Sequence, residues 1–139
     1  MPAYDESYLD SMIQKNRYLF KLIARNCTQV FQVITEYMTG TYRRHMDEAN
    51  PLYLNKTPKQ ILGSLNIQIR ADAQASENYD EFILEWMADI YTYMQWQYSI
   101  QSSEIVEKIP PEKLYAMYNP LHETSLTNGG RKLYELFIQ

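Results

Sequence analysis

The chain has 139 residues, 45% of them hydrophobic and 22% charged, with a net charge of −4. That length and composition fit one globular domain with an ordinary core. The acidic balance excludes a strongly basic nucleic-acid binder, because phosphate affinity comes mainly from Lys and Arg.

Cys27 is the only cysteine, which excludes an internal disulfide and a cysteine-rich metal site. The first residues, Met1-Pro2-Ala3-Tyr4-Asp5-Glu6, lack the basic and apolar regions of a secretory signal. No apolar run approaches the ~20 residues that span a bilayer. The expectation is a cytoplasmic chain with no membrane partner. Only four glycines and six prolines punctuate it, and thirteen tyrosines enrich it. So few breaks predict a few long elements, and tyrosine suits interfaces as well as cores.

In chain order, Asp5 or Ser7 can cap a first helix whose apolar positions are Leu9, Met12, Ile13, Leu19, Phe20 and Ile23. Acids lead it and Lys15, Arg17, Lys21 and Arg25 follow, an order that complements the helix dipole. A second helix carries Val30, Val33, Ile34, Tyr37 and Met38 and runs to about Asn50-Pro51. The apolar phase continues through Asn26-Cys27, so one bent helix over about residues 6–48 is the alternative to two. Gly40 weakens either version by about 1 kcal/mol relative to Ala.

After a linker from Pro51 to Lys56, Thr57-Pro58-Lys59-Gln60 reads as cap, first-turn proline and capping-box partner. Ile61, Leu62, Leu65 and Ile69 form that helix's dry side. Ser76 to Asp80 opens the next helix, with Asn78 and Glu81 at capping-box spacing.

This helix, through Tyr98, holds both tryptophans and no breaker. At about 100° per residue, Trp86, Asp89, Tyr93 and Trp96 fall within about 40° of Phe82. The spacing therefore predicts an aromatic dry face with one acid in its middle. A carboxylate taken out of water costs several kcal/mol unless paired, hydrogen-bonded or protonated. Internal glue, with Asp89 bound by tyrosine hydroxyls, an indole N–H or an arginine, outweighs a ligand or catalytic role.

Beyond Tyr98 the elements shorten. Ser102-Ser103 starts a two-turn helix with Ile105, Val106 and Ile109 inside. Pro110-Pro111 ends it and begins another over Glu112 to Tyr118. Asn119-Pro120 repeats the signal for a helix bearing Leu121, His122, Ser125 and Leu126. Asn128-Gly129-Gly130 stops or kinks it, and Arg131 to Phe137 adds a last amphipathic turn or two. No run alternates like a strand, and no repeat or sustained heptad occurs.

Chemical motifs are few. The chain has no phosphate-binding glycine loop, no G-x-S-x-G elbow and no H-E-x-x-H. The two histidines, His45 and His122, stand far apart, so no metal or other cofactor is expected. The Arg, four to six residues, then His pattern of HEPN-type helical nucleases is absent at both. His122, in a first helical turn, would serve as a base oriented by Asp89 only if the two meet, and an ordinary packed histidine is the stronger reading. Arg43-Arg44-His45 is the densest basic spot. A helix C-terminus explains it, and a nucleic-acid patch shared with Arg17, Lys21 and Arg25 is the weaker reading.

The segments Trp86–Trp96, Ile109–Tyr115 and Pro120–Ser125 resemble a group of short uncharacterised proteins from gut-type Firmicutes, over roughly the C-terminal half of the chain. The resemblance implies a setting near toxin–antitoxin-like genes and brings no catalytic residues.

The reading that follows is a single all-α domain, a bundle of about four longer helices plus two or three short C-terminal ones. Its expected role is a non-enzymatic protein-interaction or accessory module, an antitoxin-like neutraliser or a homodimeric adaptor. The first alternative is a ligand pocket or active site built on Asp89, Trp86, Tyr93, Trp96 and His122. The second is RNA binding through Arg43, Arg44 and His45, although nucleic acid is the less expected partner.

Overall fold

A computed structural model describes residues 2–27, 29–50, 56–64 and 79–139. Every regular element among them is helical, and no helix there is long and apolar enough to cross a membrane. The helices are α1 (Leu9–Asn26), α2 (Val30–Thr39), α3 (Thr41–Asp47), α4 (Pro58–Ser64), α5 (Glu81–Tyr98), α6 (Ser102–Lys108), α7 (Pro111–Ala116), α8 (Tyr118–Leu121) and α9 (Leu126–Leu133). A 3-10 turn, Glu6–Tyr8, leads into α1, and a π turn, Tyr134–Ile138, follows α9. Two helices of 18 residues and one of 10 carry the bundle, and the rest are shorter.

Asp5 opens the chain's first turn by accepting the Ser7 N–H at 2.8 Å. α1 then buries Met12, Leu19, Phe20 and Ile23, the apolar stripe read from its spacing, together with Asn16. The one-helix alternative over residues 6–48 fails at two points. Cys27 is extended (φ −120°, ψ 142°), and Gly40 is extended as well (φ −79°, ψ 163°). At Gly40 the backbone angles suit any residue, but a Cβ would lie 3.1 Å from the Glu36 carbonyl oxygen, a tight contact that glycine avoids.

The capping box of α4 forms as its sequence predicts. Gln60 N–H donates to Thr57 Oγ1 at 3.2 Å, and Thr57 N–H donates to Gln60 Oε1 at 2.9 Å. Ile61 and Leu62 are buried; Leu65, Ile69 and most of the 51–56 linker lie outside the described residues. So do Ser76 and Asn78, and the cap of α5 is instead Asp80, whose Oδ1 accepts the Phe82 N–H at 2.8 Å.

α5 corrects the expected dry face. Phe82, the reference of the aromatic stripe, is 75% exposed. The innermost residues are Leu84, Met87, Ala88, Tyr91 and Met94, each 0–1% exposed, and they centre about 180° away from Phe82. From Met87 to Trp96 every residue is buried, which is the pattern of a helix packed on all sides. α1 packs along it, α9 and α6 cover other flanks, and α4 lies on α1. Phe20 of α1 joins the layers, meeting the edges of Tyr37 and Tyr91 at centroid distances of 6.4 and 6.3 Å.

The C-terminal signals are partly corrected. Pro111 opens α7, and Ile105, Val106 and Ile109 are inside, as read. Asn119-Pro120 starts no helix: it lies within the single turn α8, and Ser125 caps α9 by accepting the Asn128 N–H at 3.1 Å. Gly129-Gly130 neither stops nor kinks that helix. Both are buried, and a Cβ on Gly130 would stand 3.0 Å from the Tyr93 ring. Here the glycines bring two helices together.

Candidate functional site

α1 presents Arg17, Lys21 and Arg25 four residues apart, and α5 presents Glu81, Glu85 and Asp89 at the same interval. Positions four apart share one helix edge. Because the helices run antiparallel, the two edges meet as a ladder. Arg25 Nε lies 2.8 Å from Glu81 Oε1, Lys21 Nζ 3.8 Å from Glu85 Oε1, and Arg17 Nη2 2.7 Å from Asp89 Oδ2. The end rungs are two-pronged, with Arg17 Nε donating to Asp89 Oδ1 at 3.1 Å and Arg25 Nη2 to Glu81 Oε2 at 3.3 Å. Exposure grades along the ladder, from 37% for the Glu81 side chain to 12% for that of Asp89.

Asp89 is thus the partner of an arginine. Burial pushes its carboxyl above the ordinary aspartate value, and the Arg17 guanidinium pulls it back. The hydrogen bond from Arg25 holds Glu81 below its ordinary value. The other four sequence candidates have partners other than Asp89. Tyr93 Oη is 3.3 Å from Thr127 Oγ1, and the Trp96 indole N–H donates to the Tyr4 carbonyl at 2.7 Å. Trp86 leans on Tyr118 at 5.4 Å, and Tyr118 in turn on His122 at 4.3 Å. His122 Nδ1 lies 2.8 Å from the Tyr118 carbonyl, which can only accept, so Nδ1 carries the proton. No His122–Asp89 dyad forms: the acid is held by Arg17 and the imidazole by its own helix turn.

The basic patch is also corrected. Arg43 is 1% exposed. Its guanidinium donates to Asp47 Oδ1 at 3.1 Å, Ser102 Oγ at 2.7 Å, Tyr37 Oη at 3.0 Å and Asn16 Oδ1. Asp47 caps α6 in return, accepting the Ser102 N–H at 2.7 Å. Burial opposes the Arg43 charge, but Tyr37 and Asp47 beside it outweigh that and hold it protonated. Arg44 is exposed, His45 has its Nδ1 3.9 Å from Glu48 Oε2, and Arg17, Lys21 and Arg25 are all paired. Of the three residues read as the patch, Arg44 is the exposed one, and Arg17 and Arg25 keep 40% and 57% of their side chains exposed while paired.

Over this buried network lies a strap, residues 2–5. Ala3 N–H donates to the Trp96 carbonyl at 2.8 Å, and the Trp96 indole returns a bond to Tyr4. On one side of the strap a cleft of about 490 Å³ is lined by Pro2, Tyr4, Asp5, Glu6 and Trp96. On the other, a cleft of about 340 Å³ is lined by Ala3, Asp47, Glu48, Gln95, Ser99, Ile100 and Gln101. A third of about 130 Å³ opens between Gly40, Arg44 and Ser103. Asp89 lines none of the three. Among the described residues no group of three or more His, Cys, Asp or Glu is placed to hold a metal ion.

Sequence reasoning missed two features. The ladder was legible as matched four-residue intervals of opposite charge on two helices. The burial of Arg43 was signalled only by Met46 and Asp47 on its own helix edge. Comparisons with protein-family models, curated proteins and solved structures found no match.

Proposed function

We propose that this chain is a non-enzymatic interaction module that pairs with a second copy of itself through the outer face of α1 and α5. The observation that carries this reading is the ladder. A row of cations lies beside a row of acids, rung by rung. A copy related by a twofold axis along the seam lays each basic row on its partner's acidic row, and such an isologous face needs no second protein. Phe82, 75% exposed, and Tyr18, 45% exposed, stand on these same two helices and add apolar contact area. The ionisable groups of the ladder are already satisfied within the chain, which suits a scaffold rather than a reaction centre.

The test is mass in solution by light scattering across protein concentration and salt. Self-pairing predicts a dimer at low salt whose dissociation rises with ionic strength, since exposed charges are screened. Lys21→Glu gives a monomer, and adding Glu85→Lys restores the dimer. A monomer at every concentration in low salt overturns the reading. A monomer that co-purifies with one stoichiometric protein replaces the second copy with a different partner, as an antitoxin-like neutraliser would have.

A further inference from the structure

The cleft between α3, α5 and α6 is lined by none of the ladder residues, and its wall divides between polar groups and the apolar Ala3 and Ile100. Gln95 is 2% exposed and lines it. Its Nε2 donates to the Asp47 carbonyl at 3.2 Å, which fixes the amide orientation. Its Oε1 is then buried with no hydrogen-bond donor among the described residues. An unsatisfied buried acceptor costs about 1–3 kcal/mol, so the oxygen is a standing demand for a donor.

The surroundings say which kind of donor. α3 ends at Asp47 with Glu48 as its C-cap, and α5 ends in a left-handed Ser99 (φ 52°, ψ 44°). Both helix C-termini, the negative ends of their dipoles, meet the cleft. The positive end of α6 is already taken, because Asp47 Oδ2 accepts the Ser102 N–H and Arg43 neutralises the same carboxylate. The charge left over belongs to Glu48, whose side chain is 60% exposed. Gln101 and Ser99 add polar groups to the wall.

We propose that this cleft binds the primary ammonium group of a small aliphatic amine, with Gln95 Oε1 and the Glu48 carboxylate accepting its N–H bonds. An ammonium brings three donors and no acceptor, which matches the Gln95 and Glu48 oxygens, and the carbon chain it carries fits beside Ala3 and Ile100. Ala3 lies on the same wall and its N–H is tied to the Trp96 carbonyl, so the amine reaches the buried oxygen by shifting the strap, and the Trp96 indole reports it.

The experiment is an NMR titration of the full chain with n-butylammonium chloride at fixed ionic strength, followed on backbone amides, the Gln95 side-chain amide and the Trp96 indole N–H. The expected result is saturable shifts at Ala3, Glu48, Gln95, Ser99, Gln101 and the Trp96 indole. Tetramethylammonium, with the charge and no N–H, leaves them unmoved. Glu48→Gln weakens binding by about tenfold, the worth of one charge-assisted hydrogen bond, and Gln95→Met, which keeps the volume and removes the acceptor, abolishes it. No saturable shift, equal shifts with tetramethylammonium, or an unchanged affinity in Gln95→Met overturns the proposal. Should Gln95→Met fail to fold, an unchanged affinity in Glu48→Gln overturns it equally. Lys21→Glu is expected to bind the amine normally, which separates this site from the dimer face.

Discussion

Arg43 and Arg44 are adjacent, identical in type and opposite in role. Arg43 is sealed among Asp47, Ser102, Tyr37 and Asn16, while Arg44 is exposed. Removing one member of a buried charge pair strands the other in a low-dielectric site and typically costs about 3–5 kcal/mol. Arg43→Met is therefore expected to lower unfolding stability by that amount in urea denaturation, and Arg44→Met to change it by less than about 0.5 kcal/mol. Equal effects from the two would mean that the network carries no stability. The contrast also explains what sequence could not supply. A run of two arginines and a histidine reads as surface charge, because its composition says nothing of which edge of a seven-residue helix faces inward. That edge is decided by Tyr37, Asn16 and Ser102, three residues from three other helices.

At the scale of elements, glycine shows the same dependence on neighbours. Gly130 sits in α9 against the Tyr93 ring, with 3.0 Å for a Cβ, while Gly63 in α4 has nothing among the described residues within 4 Å of that position. Helix propensity alone favours alanine at both by about 1 kcal/mol. At Gly63 no described residue opposes this, and Gly63→Ala is expected to raise stability by about 0.5–1 kcal/mol. At Gly130 overpacking, typically about 1–3 kcal/mol, outweighs the gain, and Gly130→Ala is expected to shift the urea midpoint down. A rise instead would show that the Tyr93 ring gives way. Local signals were read well where the chemistry is local: the Thr57–Gln60 capping box, the Asp5 cap and the Pro111 start need no distant partner. They were misread where packing decides. The Gly129-Gly130 pair looked like a stop because its use, a close approach to α5, lies outside its own segment. The stripe of Phe82, Trp86, Asp89, Tyr93 and Trp96 is buried at Asp89, Tyr93 and Trp96 and open at Phe82, because a helix buried all round from Met87 to Trp96 has a weak amphipathic signal.

Across the whole molecule, the thirteen tyrosines divide by what surrounds them. Tyr37 and Tyr91 are each 0–1% exposed, and burial raises both phenols above their ordinary value. Tyr4, within the strap, is pushed up to about 12 by burial, with Arg43 pulling it down and Asp47 and Tyr37 adding to the rise. In the unfolded chain all three ionise near pH 10. A phenol whose folded value lies above its unfolded one stabilises the fold fully below the unfolded value, and that contribution is lost as pH climbs toward the folded one. Stability is therefore expected to fall between pH 10 and about 12 for Tyr4, with Tyr37 and Tyr91 pushing in the same direction. Phenolate absorbance should rise in two stages, the first gradual and reversible. A second, cooperative stage should coincide with loss of helical circular dichroism, because the core phenols ionise only as the bundle opens. Tyr4→Phe removes one acid from the unfolded state and should move that second stage to higher pH. A single smooth titration with the helices intact throughout would mean that Tyr37 and Tyr91 reach solvent without unfolding, and that the strap and the α1–α5 core do not hold as one cooperative unit.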